Sequence, residues 1–217
     1  MHLLNHGFYV KLKYKSSKQK VKVKAMYESF EELKEQCLKC EKCELSKTRT
    51  NVVFGVGNEH AKLMFIGEGP GENEDLQGEP FVGRAGKLLD KFIASIGLSR
   101  EDVYIANMVK CRPPKNRDPL PEEQEACIGY LREQVRHIRP HIIVCLGRIS
   151  AQRLISPDFK VTRQHGEWVN KNGTLMMGTF HPAALLRNPN NKPAAFEDFL
   201  KIRDELDRAE QSEGKTE

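Results

Sequence analysis

Residues 62–71 read KLMFIGEGPG, a short apolar run that ends in three closely spaced glycines. The apolar part, KLMFIG at 62–67, has the length and composition of a buried β-strand. DVYIANMVKC at 102–111 and HIIVCLG at 141–147 predict two more strands of the same kind. Because all three are apolar on both faces, they predict a mostly parallel sheet that helices cover on both sides.

Segments with helical spacing alternate with these strands. They are YESFEELKEQCLKC, GRAGKLLDKFIASIGL, PEEQEACIGYLREQVRHIRP, the short RISAQRLI and PAAFEDFLKIRDELDRAEQ. The pair Asn172-Gly173 lies between two strand-like runs and predicts a β-hairpin. The fold class is therefore α/β, a three-layer α/β/α sandwich. The last helix is expected to pack four apolar side chains, Phe196, Phe199, Leu200 and Ile202.

Polar and glycine-rich segments follow the predicted strands. Ligands of parallel sheets bind at the carboxyl ends of the strands, where such segments meet. Here the segments are GEGPG, NMVKC, LGR and FHPAALLR. The sequence therefore predicts one site built from all four.

The glycine-rich loop does not suit a phosphate group. Pro70 interrupts the dinucleotide-binding pattern, and the next helix is expected only from about Arg84. Four acidic side chains would repel a polyphosphate: Glu68, Glu72, Glu74 and Asp75. A neutral ligand, whose donors and acceptors are read by backbone groups, fits this loop better.

The cysteines suggest a metal centre. CLKCEKC places Cys37, Cys40 and Cys43 at successive two-residue gaps, and Cys111 and Cys127 flank a proline-rich loop. This spacing suits zinc or an iron–sulfur cluster, with unrelated buried thiols as the alternative. A sixth cysteine, in the apolar run IIVCLG, is expected in the core.

Charge and hydropathy divide the chain. Residues 1–26 hold seven lysines and no acid, and removing these seven charges from the formal +5 leaves −2 for the rest. We therefore expect a flexible extension at 1–26, either a solvated tail or a phosphate-binding arm, one domain at 27–210 and a polar tail at 211–217. With no membrane-spanning run and no signal peptide, a cytoplasmic location is expected.

Three further side chains could serve the site, although each also has a structural explanation. Phe81 is either a core ring or a stacking platform. Asn107 is either a turn cap or an amide that pairs with a base edge. His181 is either a loop histidine or a donor to developing negative charge.

Taken together, four segments resemble the successive motifs of the family 4 uracil-DNA glycosylases, which are bacterial and archaeal repair enzymes with an iron–sulfur cluster. The segments are VVFGVGN, GEGPGENEDLQGEPFVGRAGKLLD, YIANMVKCRPPKNRDPLP and HPAALLRNP. The resemblance runs from about Cys40 to Pro189 and omits the lysine-rich extension. It implies an enzyme of base excision repair that flips uracil out of single- or double-stranded DNA. Hydrolysis of the N-glycosidic bond would then release free uracil and leave an abasic site.

The resemblance also implies the pocket residues. Phe81 would stack on uracil, the Asn107 amide would accept from N3–H and donate to O4, and Glu74 would crowd the C5 methyl of thymine. His181 would donate to O2, while Glu68, through its side chain or its backbone, would orient the attacking water. The implied uracil-binding set is Glu68, Gly69, Pro70, Glu74, Phe81, Asn107 and His181, of which Glu68, Asn107 and His181 are catalytic.

The resemblance further implies a [4Fe-4S] cluster, with Cys37 as a surplus cysteine. Leu186 and Arg187 are candidates for the segment that enters the DNA duplex. A monomer that binds no membrane is expected, and a replication clamp is a possible partner. The implied cluster ligands are Cys40, Cys43, Cys111 and Cys127.

Other functions stay open at this point. A family 5 glycosylase would have broader base specificity, but its first motif differs from GEGPG. An iron–sulfur redox carrier, or a non-catalytic iron–sulfur protein that binds nucleic acid, would need the cysteines but would leave Phe81, Asn107 and His181 unexplained. A single-strand-binding module would use the basic extension.

Overall fold

The structure is a computed structural model that describes residues 26–171 and 173–213. Its strands are β1 (Val56–Gly57), β2 (Leu63–Gly67), β3 (Tyr104–Asn107), β4 (Ile142–Leu146), β5 (Trp168–Lys171) and β6 (Thr174–Thr179). Its α-helices are α1 (Phe30–Leu38), α2 (Glu72–Gln77), α3 (Arg84–Ser95), α4 (Pro121–Ile138), α5 (Arg148–Leu154), α6 (Val161–Gln164), α7 (Pro182–Arg187) and α8 (Lys192–Glu213).

The strands form one sheet in the order β1-β3-β2-β4-β6-β5. The strands β3, β2, β4 and β6 pair in parallel, whereas β1 and β5 are antiparallel at the edges. The mostly parallel sheet is thus confirmed. The β5–β6 hairpin is also as predicted, with Lys171 paired to Thr174. Asn172, half of the turn signal, lies outside the described residues.

Helices cover both faces of the sheet. Along β2, Leu63 and Phe65 pack into a core with α3 and α8, while Met64 and Ile66 pack into a second core with α4 and α5. This alternation follows from the two-residue period of a strand, and it requires apolar residues at every position. The three-layer α/β/α prediction is confirmed. Cys145 in β4 is fully buried in the second core, as expected.

The last helix differs from its prediction. Phe199 and Ile202 are buried, but Phe196 and Leu200 are 40% and 43% exposed. Residues four apart lie on one helical face, so Phe196 and Leu200 share a face that points away from the core. The helix also continues to Glu213, beyond the predicted end of the domain at 210.

The glycine-rich loop contains a helix that was not predicted. The expectation of no helix before Arg84 is wrong, because α2 begins at Glu72. Three acidic residues in its first turn suit the positive end of a helix dipole. Gly78, at φ 75°, ends the helix by donating its N–H to the carbonyl of Glu74.

Within the described part of the chain, no helix combines the length and hydropathy that a membrane crossing requires. The expectations for residues 1–25 and 214–217 lie outside the described residues. Met26, the last residue of the predicted extension, is exposed.

Candidate active site

A cleft of about 740 Å³ opens where β2, β3 and β6 end. All of the predicted uracil-binding residues line it, and so does Arg187 at the end of α7. Leu186, the other predicted DNA contact, is half-buried on the same helix and is not among the lining residues. The four segments that follow the strands therefore meet at one site, as the sequence predicts.

Asn107 presents a buried acceptor at this site. It ends β3, is 2% exposed, and its Oδ1 has no hydrogen-bond partner among the described residues. A buried polar atom without a partner is costly, so this acceptor is suited to a ligand donor. Gly67 leaves the space beside it: a Cβ there would lie 2.3 Å from Oδ1 and 2.8 Å from the Phe81 ring.

Phe81 is held in a strained conformation. Its φ of +55° is unusual for a bulky residue, and such strain is concentrated at functional sites. Arg100 holds the segment by donating to the carbonyls of Pro80 (2.8 Å) and Phe81 (3.3 Å). Gly86 permits the close approach of the Phe81 carbonyl, which would lie 1.7 Å from a Cβ. The Phe81 ring is 5.6 Å from the His181 ring, centroid to centroid.

Glu74 supports the same loop from the other side. Its Oε1 accepts from the backbone N–H groups of Val82 and Gly83, both at 3.1 Å. The carboxylate therefore fixes the segment that carries Phe81. The other acidic side chains of α2 do not line the cleft. Asp75 is buried, where it accepts from the N–H of Thr50 at 2.9 Å.

His181 is the N-cap of α7 and is partly buried. Its Nδ1 accepts from the N–H of Ala183 at 3.1 Å, so the proton of the neutral ring is on Nε2. Burial, and to a smaller extent the nearby charge of Arg187, together lower the pKa of His181 to about 4. At neutral pH His181 is therefore a neutral hydrogen-bond donor.

Glu68 has two charged neighbours that sequence reasoning missed. The pKa of Glu68 is raised to about 7, mainly by burial and also by the negative charge of Asp118, against the opposing effect of Arg148. Arg148 belongs to the LGR segment that follows β4, so its place in the sequence was a usable signal. Asp118 lies in the proline-rich loop, 11 residues after β3, where nothing in the sequence indicated its position.

A second, smaller cavity gathers the clustered cysteines. It is lined by Cys37, Cys40, Cys43, Cys111 and Cys127, and none of these five forms a disulfide within the described residues. No group of three His, Cys, Asp or Glu side chains within residues 26–171 and 173–213 is arranged to hold a single metal ion.

Two basic residues donate hydrogen bonds to these sulfurs. Arg49 Nη1 donates to the Cys40 carbonyl at 2.6 Å and to Cys111 Sγ at 3.3 Å. Lys110 donates its backbone N–H to Cys127 Sγ at 3.2 Å. Its fully buried Nζ donates to the Asn107 carbonyl at 2.9 Å, so Lys110 joins the cysteine cavity to the cleft.

Comparison with known proteins identifies the family. The family model of the uracil DNA glycosylase superfamily matches residues 54–205. The type-4 uracil-DNA glycosylase of Archaeoglobus fulgidus is 50% identical over 185 residues, which are 81% of this chain and 92% of that protein. The type-4 enzyme of Thermotoga maritima is 46% identical over 76% of this chain and 87% of its own. The chain belongs to the type-4 uracil-DNA glycosylases.

The type-5 alternative has weaker support. A type-5 uracil-DNA glycosylase of Pyrobaculum aerophilum is 34% identical over 59% of this chain and 64% of its own length. The type-4 relatives have higher identity over more of the chain. The resemblance predicted from the four segments is therefore confirmed at the level of the type-4 family.

Proposed function

We propose that this chain excises uracil from single- or double-stranded DNA, as a hydrolase of base excision repair that leaves an abasic site. In a chain of the type-4 family, the observation that carries this proposal is the unpaired Asn107 Oδ1 beside the Phe81 ring in the cleft. A flat base with an N–H donor on its edge satisfies both features, the ring by stacking and the acceptor by a hydrogen bond.

Base selection follows from the oxygen and the nitrogen of the Asn107 side-chain amide. The Oδ1 of Asn107 accepts from uracil N3–H, and its Nδ2 donates to O4. Cytosine presents an acceptor at N3 and a donor at C4, so both contacts would be mispaired, which costs on the order of 10⁴-fold in favourable cases. Glu74 is proposed to stand against the C5 methyl of thymine.

The chemistry requires stabilisation of negative charge on the leaving base. His181 donates from Nε2 to uracil O2 as the glycosidic bond breaks, and a preorganised donor of this kind contributes about 3 kcal/mol. Glu68 orients the water that attacks C1′ of the sugar. The DNA phosphates stabilise the positive charge that develops on that sugar.

The cofactor proposed for the cysteine cavity is a [4Fe-4S] cluster. Each thiolate of such a cluster binds a different iron, so the sulfurs need not converge on one point as zinc ligands do. The Arg49 guanidinium and the backbone N–H of Lys110, which both donate to cysteine sulfurs, suit the negative charge of a thiolate-ligated cluster. Bound by these cysteines, a cluster would cross-link the segment after α1, the proline-rich loop and α4. Its proposed ligands are Cys40, Cys43, Cys111 and Cys127, with Cys37 in surplus.

We propose that Leu186 and Arg187 contact the DNA. They are the last two residues of α7, the helix that begins directly after His181. A clamp partner, a monomeric state, a cytoplasmic location and the division into extension, domain and tail all stay predictions.

The proposal is tested with matched oligonucleotides that carry one uracil, thymine or cytosine. Intact, iron-loaded protein should create alkali-labile sites at uracil, in single and double strands, and none at the other two bases. Equal cleavage at thymine would remove Glu74 from base selection, and no cleavage at uracil would reject the proposed function.

His181→Ala tests the chemical step. We expect single-turnover release to fall about 100-fold or more because one preorganised donor is lost. Binding of uracil-containing DNA should be retained, as measured by fluorescence anisotropy. Unchanged turnover would exclude His181 from the reaction.

A further inference from the structure

Two carboxyl groups meet in the cleft, one from each of two loops. Glu68 follows β2, and Asp118 lies in the proline-rich loop after β3. Asp118 is close enough to raise the pKa of Glu68, through its negative charge and through a hydrogen bond between the two side chains. Both line the cleft that also holds Asn107 and His181.

Arg148 binds Asp118, the more exposed of the two carboxyl groups. It is the first residue of α5, and its Nη2 donates to Asp118 Oδ2 at 2.5 Å. The residue before Asp118, Arg117, is fixed by a hydrogen-bonded ion pair with Glu123 in the first turn of α4, at 2.6 Å. Asp118 therefore has an anchored backbone and a cation on its side chain, so it can hold the Glu68 carboxyl in place.

Two touching carboxyl groups cannot both ionise at low cost. Asp118 is paired with Arg148 and is the more exposed of the two, whereas burial favours the protonated form of Glu68. The other charged or titratable side chains that line the cleft are Glu74, Arg117, His181 and Arg187. Of these, Glu74 is bonded to backbone amides and Arg117 to Glu123.

We propose that Asp118 and Arg148 are positioning residues that orient the Glu68 carboxyl group towards the attacking water, from which it accepts a proton. This inference rests on the proposed uracil excision. The water oxygen bonds to C1′ of the deoxyribose, and the C1′–N1 bond breaks with its electron pair going to uracil. The proton of the water passes to Glu68 and from there to solvent, while the uracil anion is held by His181 until it is protonated.

The charge that each substitution removes determines the direction in which the pH profile of uracil release shifts. Release should rise with pH through about 7 in the wild-type protein, since an ionised Glu68 is required. Asp118→Asn removes a negative neighbour that favours the protonated form, so this rise should move to lower pH. Arg148→Gln removes a positive neighbour that favours the carboxylate, so the rise should move to higher pH.

The experiment measures single-turnover uracil release by full-length, iron-loaded protein. The pH range extends about two units to either side of neutral, from about pH 5 to about pH 9. We expect opposite shifts of about one pH unit for Asp118→Asn and Arg148→Gln, and Glu68→Gln should lose the rise altogether. Arg153→Gln is the matched control: Arg153 lies on the same helix but pairs with Glu125 on α4, so its profile should match the wild type.

The outcomes separate the inference from the proposed function. No release by the wild-type protein at any pH would reject the proposed function itself. Release by all proteins with the same pH profile, or with both substitutions shifting it in one direction, would overturn the roles of Asp118 and Arg148. A purely structural role for the pair would lower the rates without moving the two profiles apart.

Discussion

Gly67 shows how a single backbone position shapes the cleft. It ends β2, and the space that a Cβ would fill is the space between the Asn107 amide and the Phe81 ring. Phe81 reaches this place through a left-handed backbone conformation that Arg100 and Gly86 support. The proposed base recognition would therefore depend on the missing side chain at Gly67 as much as on the side chains present.

Gly67→Ala should abolish most uracil release while leaving the fold intact. The new methyl would lie 2.3 Å from Asn107 Oδ1, so either the amide or the Phe81 ring must move. A displacement of about 1 Å at a reacting centre costs on the order of 100-fold in rate. Single-turnover kinetics, with circular dichroism to check folding, would measure this.

Gly129→Ala is the matched control for that substitution. Gly129 lies within α4, and a Cβ there meets no heavy atom within 4 Å. It should leave uracil release unchanged and raise stability by up to about 1 kcal/mol. If Gly67→Ala were as active as Gly129→Ala, the cleft beside Asn107 could not be the base pocket.

The proline-rich loop, α1 and α4 each contribute a cysteine to the cysteine cavity. Cys37 is on α1, Cys111 begins the loop and Cys127 is on α4. Lys110 extends this assembly inward, because its Nζ bonds to the Asn107 carbonyl and to Gln134 Oε1 at 2.6 Å. The cysteine cavity and the cleft therefore share one buried polar network.

Cys40→Ala and Cys111→Ala should each remove the visible absorbance and the bound iron, because each would delete a ligand of the [4Fe-4S] cluster. Cys37→Ala should keep both if Cys37 is surplus. Cys145→Ala is the control, since the Cys145 thiol is buried between the sheet and the helices α4 and α5, away from the cysteine cavity. Absorbance spectra with an iron assay decide the ligand set; zinc in place of iron would contradict the cluster.

Lys110→Met should destabilise the protein and slow uracil release. The methionine would leave the Asn107 carbonyl and Gln134 without their donor, at a cost of about 2 kcal/mol, or about 5 °C in Tm. Calorimetry at fixed iron content would measure the change. Lys87→Met, on the exposed side of α3, should change neither property. An equal effect of both substitutions would argue against the network.

At the level of the whole molecule, the sheet and its layers could be predicted because each central strand is an apolar run buried on both faces. The site could be placed because ligands of parallel sheets bind where the strands end. Asp118 could not be placed, because its contact with Glu68 depends on the path of a proline-rich loop. The short helix α2 was missed since its six residues carry no apolar stripe.

We expect the intact protein to hydrolyse the N-glycosidic bond of uracil in DNA and to leave the DNA strand unbroken. The most direct measurement quantifies free uracil by chromatography and abasic sites by alkali treatment in the same single-turnover reaction. We expect one uracil per abasic site, with no strand cleavage before alkali. No free uracil from iron-loaded protein, or strand cleavage without alkali, would contradict the account.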